Sequence, residues 1–116
     1  LAVAYLMKGR QAEAERLLQA ILVLNPDSAQ ALNSLGWIAL RKRDVPTARQ
    51  YFERSLKADS EFLEPYVNLG MLSKQSGDFK NARNYFERYL TKATADKYKE
   101  SAARIRKELA LLPKAS

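Results

Sequence analysis

Carboxylate pairs are the first residues of this chain to consider for acid–base chemistry, because histidine and cysteine are both absent. That absence excludes imidazole and thiolate metal ligands, cysteine nucleophiles and triads of the Ser-His type. The pairs are Glu13 with Glu15 and Glu61 with Glu64. Two carboxylates catalyse proton transfer only when both converge on one pocket. Both pairs fall on predicted helix surfaces or at helix starts, so we expect no catalytic site and no enzyme.

Phosphate chemistry also lacks its sequence signature. Neither a phosphate-binding loop nor a dinucleotide fingerprint occurs, and glycine-containing stretches such as Ser76-Gly77-Asp78 are predicted to be turns between helices. We therefore expect no cofactor and no metal. An accessory or oligomerisation module of a larger enzyme stays open as an alternative function.

Basic side chains offer a second alternative. The net charge is +7, and residues 97–116 hold six basic against two acidic residues. A further cluster, Arg41-Lys42-Arg43, lies at a predicted helix end, where cations complement the helix dipole. Such a surface can bind nucleic acid or another anionic partner. We favour ordinary solvated helix faces, because Glu100 and Glu108 interrupt the terminal cations and no aromatic platform accompanies them.

Composition limits the class of protein. The 116 residues are enough for one domain, and an apolar content of 47% with four glycines and four prolines indicates an ordered, helical chain. The longest apolar stretch, near Ala20 to Leu24, is far shorter than the ~20 residues of a membrane span, so no span is expected. The absence of cysteine is compatible with any compartment, and the localisation stays open.

The elements that carry these residues repeat along the chain. Gly36 and Gly70 lie 34 residues apart, and the same spacing relates the segments around them: Leu32-x-x-Leu35-Gly36 to Tyr66-x-x-Leu69-Gly70, and Ala48-x-x-x-Phe52 to Ala82-x-x-x-Phe86. A further step of 34 places Ala2, Ala14 and Leu18 in register as an incomplete first copy. The chain is therefore predicted to be a short array of repeats.

Each repeat is predicted to contain two amphipathic helices joined by a tight turn. Asp44 and Asp78 are suited to cap the second helix, and Gly77 suits a left-handed residue at the end of the first. Small residues at Gly36, Gly70, Ala48 and Ala82 leave room for the two helices to approach, and we expect Phe52 and Phe86 to fill the space between pairs. Asn25-Pro26-Asp27-Ser28 separates the first repeat from the second.

At these positions the chain resembles the tetratricopeptide repeat, whose pattern is W-x2-L-G-x2-Y, then A-x3-F and a closing P. It departs from the pattern at Leu32 and Tyr66 for Trp, Ala39 and Ser73 for Tyr, and Ser60 and Thr94 for Pro. The resemblance covers residues 1 to about 96. It implies an all-α fold, a right-handed superhelix of antiparallel helix pairs.

The two ends of the array differ. By register the domain comprises a truncated repeat over 1–28, repeats over 29–62 and 63–96, and a capping helix over 97–112. Since Leu1 aligns with the middle of a helix, we expect a piece of a larger protein of bacterial style. We also expect fraying or self-association at this end, around Leu1, Tyr5, Leu17 and Ile21. The terminal helix carries an apolar stripe of Tyr98, Ala102, Ile105, Leu109 and Leu112.

The resemblance implies a non-catalytic scaffold that binds a peptide or protein partner in a concave groove. The groove residues, assigned by register on the first helices, are Val3, Asn33, Trp37, Leu40, Arg41, Val67, Asn68, Met71, Lys74 and Gln75. Trp37 would either anchor the partner or pack against the next repeat. The family's clamp for a terminal carboxylate is not favoured, because the cationic pair it needs is missing beside Asn33, Ser34 and Trp37.

Overall fold

The regular secondary structure of the described range is helical, with short turns between the helices. The computed structural model describes residues 2–113 and the side chains of residues 9–113. The helices are α1 (Ala2–Leu24), α2 (Ala29–Arg41), α3 (Val45–Ala58), α4 (Glu64–Gln75), α5 (Phe79–Lys92) and α6 (Lys99–Leu111), with a 3₁₀ turn at Asp96–Tyr98. No strand occurs among residues 2–113. The chain divides into two compact units, residues 1–59 and 60–116.

The core of the first unit lies between α2 and α3. Leu32 and Leu35 of α2 and Ala48 and Phe52 of α3 are almost completely buried. A Cβ atom built at Gly36 would lie only 2.4 Å from the Phe52 ring. The predicted need for a small residue here is therefore confirmed. The Phe52 ring fills the space beside the glycine, within the helix pair. The prediction that it fills the space between pairs is wrong on this point.

The second unit repeats this arrangement with α4 and α5. A Cβ atom at Gly70 would lie 2.4 Å from the ring of Phe86, which is fully buried together with Ala82. Tyr66 takes the position of Leu32, and its hydroxyl donates a hydrogen bond to the Ser60 carbonyl oxygen at 2.8 Å. The side chain of Tyr66 is thus buried without leaving its polar atom unpaired.

Side-chain caps set the starts of three helices. Ser28 Oγ accepts from the Ala31 amide, and the carboxylates of Asp44 and Asp78 accept from the amides of Thr47 and Asn81. Each bond satisfies an amide that the first helical turn leaves without a partner. The predicted caps at Asp44 and Asp78 are confirmed.

The turns within the two pairs use the same backbone conformation with different residues. Gly77 has a φ of +81°, as predicted for a left-handed position. Its counterpart one repeat earlier is Arg43, which has a φ of +63°. A side chain at positive φ is strained, whereas glycine is not. The turn of the first pair is therefore strained at Arg43, whereas the turn of the second pair, with Gly77, is not.

The first helix, α1, is longer than α2 and α4. By the 34-residue register, Gly9 and Arg10 correspond to the turn residues Arg43-Asp44 and Gly77-Asp78 of the later repeats. Instead, α1 continues from Ala2 to Leu24 without a break. The physical difference lies at position 10, because arginine cannot accept the amide hydrogen bond that aspartate accepts in the later turns. Leu1 lies outside the described residues, as do the side chains of Val3 and Tyr5.

The last helix covers one side of the second unit. Ala102 and Ile105 on α6 are buried, as is Leu112 just beyond its end, in agreement with the predicted stripe. Lys74 of α4 forms an ion pair with Glu108 of α6, with 2.5 Å between Nζ and Oε2. Arg83 Nη2 donates to the Pro113 carbonyl oxygen at 3.0 Å. Polar contacts thus hold the C-terminal end of α6.

Part of the positive charge is neutralised locally. Besides Lys74, Lys42 pairs with Glu15, and Lys92 pairs with Glu61 at 2.9 Å. The hydrogen bond to Glu61 raises the pKa of Lys92 above its ordinary value. Within residues 2–113, every helix is too short or too polar to cross a bilayer.

Candidate partner-binding surface

Trp37 is the most prominent residue of the predicted surface. It lies on α2 next to Gly36, and 48% of its surface is exposed. Its indole ring meets the Phe52 ring edge-on, with 6.3 Å between centroids and 76° between planes. Because Phe52 is itself fixed over Gly36, one side of the indole has a rigid support. The rest of the large Trp37 side chain faces solvent.

The other predicted residues of α2 differ in exposure. Asn33 is buried at 3% exposure, and it takes part in further interactions of its own. Leu40 is half-buried and Arg41 is exposed. Trp37 and Arg41 lie four residues apart on one helix, which places them on the same face. The solvent-facing part of the predicted surface on α2 is therefore Trp37, Leu40 and Arg41.

On α4, two of the five predicted residues are engaged in interactions within the protein. Asn68 is buried and has interactions within the protein. Lys74 is engaged by Glu108, so it is not a free cation on this surface. Val67 and Met71 are half-buried, and Gln75 is exposed. These last three can meet a ligand without breaking a contact described above.

A feature that the sequence reasoning missed lies between α1 and α2. An open cleft of about 330 Å³ is lined by Arg10, Gln11, Ala14, Ile38 and Arg41. The register assigned only Arg41 to a binding surface, because Arg10 stands where the later repeats have a turn. The spacing of Ile38 and Arg41, three apart on α2, was the available signal. Arg10 joins them through the uninterrupted course of α1.

The outer part of α1 exposes large apolar side chains. Leu17, Ile21 and Leu24 are 67%, 44% and 88% exposed. They lie at i, i+4 and i+7, so they form one face of the helix. The side chains of Leu17 and Ile21 are thus exposed, as the repeat register predicts.

Two of the four paired carboxylates of the sequence are engaged by lysines, and the other two are exposed. Glu15 is paired with Lys42, and Glu61 with Lys92. Glu13 and Glu64 are exposed on separate helices. Among the described residues, no three acidic side chains are placed to hold a metal ion. The arrangement offers surfaces for contact, with the cleft and Trp37 as its distinctive features.

Cellulose synthase operon protein C of Komagataeibacter xylinus is 39% identical over 51 residues, which is 44% of this chain and 4% of that protein. The chain therefore spans a very small part of that relative.

Two solved structures of similar fold contain segments of partner proteins. The Yersinia enterocolitica type III secretion chaperone SycD, with a peptide of the translocator YopD, has a TM-score of 0.79 at 18% identity, over 95% of this chain and 85% of that one. PcrH, with the chaperone-binding region of PopD, has a TM-score of 0.78 at 19% identity, over 93% and 82%. At these identities the likeness concerns the fold alone.

Family models cover both units. A model described as tetratricopeptide repeat matches residues 1–61, and a second model of the same description matches residues 63–91. The structural features that correspond to this repeat are the paired helices, the glycines packed under phenyl rings and the aspartate caps. The chain belongs to the tetratricopeptide repeat family.

Proposed function

We propose that this chain is a non-catalytic scaffold that holds a peptide or protein partner, with the exposed face of α2 in the first unit and that of α4 in the second unit as its candidate contact surfaces. In the family, first helices of successive repeats line the concave groove, and α2 and α4 are those helices here. The anchor on α2 is Trp37, and Met71 is its equivalent on α4. Catalysis has no part in this proposal, since the carboxylates pair with lysines or lie apart.

The proposal rests on the exposure and the fixed position of the Trp37 side chain. A large aromatic side chain is 48% exposed while its edge is held against a fully buried ring. Binding then requires little ordering of the receptor, which removes one cost of association. Tryptophan is also enriched among the residues that dominate interface energies. The solved relatives SycD and PcrH hold segments of partner proteins, which supports the same role for this fold.

The test uses a random displayed peptide library, from which peptides that bind the full chain are selected. For a labelled selected peptide, Trp37→Ala with Met71→Ala should weaken binding by about tenfold or more, because a buried aromatic anchor is lost. Fluorescence anisotropy measures the affinity, and circular dichroism should show unchanged helicity. A collapse of helicity would mean that both residues belong to the core.

The matched control replaces two exposed apolar residues elsewhere. Val23 and Leu111 are 81% and 75% exposed, and neither belongs to the predicted groove. Val23→Ala with Leu111→Ala should leave the affinity unchanged. Equal weakening by both double variants contradicts the proposed surface. Binding that disappears with added salt but survives loss of Trp37 and Met71 would favour the basic-surface alternative.

We also infer self-association through the exposed face of α1. Leu17, Ile21 and Leu24 form a contiguous apolar stripe, a kind of surface that marks an interaction site. Leu17→Glu should shift a concentration-dependent dimer to monomer in sedimentation equilibrium. Val23→Glu is the control, because six residues further along α1 it points to a different face. A wild-type chain that is monomeric at all concentrations would rule this out.

A further inference from the structure

The cleft between α1 and α2 has an uneven distribution of polar and apolar groups. Its polar lining residues are Arg10, Arg41 and Gln11. Its apolar lining is Ala14 and Ile38, both half-buried. Both arginines are exposed, so a ligand can reach them without unfolding the chain.

The positive charge of this cleft is not compensated. Among the described side chains, neither Arg10 nor Arg41 takes part in an ion pair, whereas the adjacent Lys42 is paired with Glu15. A second open cleft, of about 450 Å³, provides a contrast. There Asp27 lines the same space as Arg54 and Lys57, so an acidic group is already present.

A carboxylate matches this lining best. The guanidinium group presents a planar fork of donors that suits a carboxylate, and such charge-assisted hydrogen bonds are stronger than neutral ones. Gln11 adds an amide donor. The apolar lining suits the methylene groups that precede the carboxylate of an aspartate or glutamate side chain.

A nucleic-acid backbone fits less well. Polyanion binding relies on several cations along a track. Here the neighbouring Lys42 is neutralised by Glu15, and Glu13 stands exposed on the same helix. Two exposed arginines are too few for a track of phosphates, yet they suffice for a single acidic group.

The cleft adjoins the aromatic anchor. Arg41 lies one helical turn beyond Trp37 on α2, so both side chains occupy one face. We propose that the cleft formed by Arg10 and Arg41 takes an aspartate or glutamate side chain of the partner, while an apolar neighbour of that residue packs on Trp37. This inference rests on the proposed scaffold function and names the partner's chemistry: an acidic residue beside an apolar one.

The test uses a random peptide library displayed against the full chain. Wild-type protein should enrich peptides with Asp or Glu next to an apolar residue. Changing that acid to its amide in a synthetic peptide should weaken binding to wild type about tenfold, since a charge-assisted contact is lost. With Arg10→Gln and Arg41→Gln together, the same change in the peptide should have almost no effect.

A charge-matched control separates the cleft from net charge. Arg104 and Arg106 are exposed on α6, and Arg104→Gln with Arg106→Gln removes the same charge. This variant should keep the preference for acidic peptides. A preference that persists undiminished in the Arg10 and Arg41 variant overturns the proposal, as does a wild-type selection of apolar peptides without any acidic preference.

Two further outcomes are distinguishable. If no variant or wild-type protein enriches any peptide, the scaffold function itself is contradicted. A fluorescent single-stranded oligonucleotide tests the other anion. If the Arg10 and Arg41 variant loses oligonucleotide binding that the Arg104 and Arg106 variant keeps, and acidic peptides bind both alike, the cleft serves nucleic acid and the proposal is wrong.

Discussion

The phenyl ring of Phe52 occupies the space that a side chain at Gly36 would need, with Cε1 only 2.4 Å from the position of a Cβ atom. Phe86 and Gly70 repeat this relationship in the second unit. Both rings are fully buried, so neither can move aside into solvent. The first pair adds one element, because Trp37 rests edge-on against the same Phe52 ring.

Gly36→Ala is expected to destabilise the chain by about 1–3 kcal/mol, because the new methyl group displaces a packed ring. The higher helix propensity of alanine offsets part of this cost, by up to about 1 kcal/mol. Urea denaturation followed by circular dichroism measures the change in the free energy of unfolding.

Gly9 is the control for that experiment. It lies within α1, and a Cβ atom there would meet nothing within 4 Å. Gly9→Ala should therefore stabilise the chain by about 0.5–1 kcal/mol through helix propensity alone. Similar effects of the two substitutions would show that the ring yields without cost.

The turns at Arg43 and Gly77 should respond in opposite directions. Arg43→Gly is expected to stabilise by about 0.5–1 kcal/mol, because it removes a side chain from positive φ. Gly77→Ala places a side chain at a φ of +81° and should destabilise by about 1 kcal/mol. Thermal and urea unfolding of both variants measure this. Stabilisation by the alanine would contradict the assigned turn conformation.

Two buried serines should also give opposite results. Ser73 Oγ has no hydrogen-bond partner among the described residues, and the equivalent position one repeat earlier is Ala39. Ser73→Ala should stabilise by about 1 kcal/mol, since an unpaired buried hydroxyl is removed. Ser55 Oγ donates to the Ala29 carbonyl oxygen at 2.7 Å, so Ser55→Ala should cost about 1 kcal/mol. Urea unfolding of the two variants distinguishes these signs, and a loss of stability in both would mean that Ser73 has a partner.

The fluorescence of Trp37 reports its environment, because the chain has one tryptophan. With 48% of its surface exposed, the indole should be quenched by acrylamide in the free protein and protected once a selected peptide binds. Stern–Volmer plots measure both states. An indole already protected in the free chain would indicate that Trp37 serves packing alone.

Much of this fold can be predicted from the repeat period and from local helix-capping rules. The period of Gly36 and Gly70 predicts the helix pairs, and Asp44 and Asp78 predict where second helices begin. The continuation of α1 through Arg10 could not be read from the period. It depends on the absence of an aspartate cap at position 10, where the chain has arginine. The repeat period alone does not take that residue type into account.

The binding surface was less predictable than the fold. Register places Lys74 on the predicted surface, but its pairing with Glu108 requires α6 to pack close by, and that depends on tertiary structure. The cleft beside Arg41 likewise needs Arg10 to continue along α1. Charges on different helices combine or cancel only once the helices are packed.

The contact between Phe52 and Trp37 has a consequence for mutational scans. A ring displaced by a larger residue at Gly36 would shift the support of the indole, so a change in the core would alter recognition at the surface. A screen for partner binding would then score Gly36 as a recognition residue, although no partner touches it. In this chain the map of residues that matter for binding extends one layer below the residues that make contact.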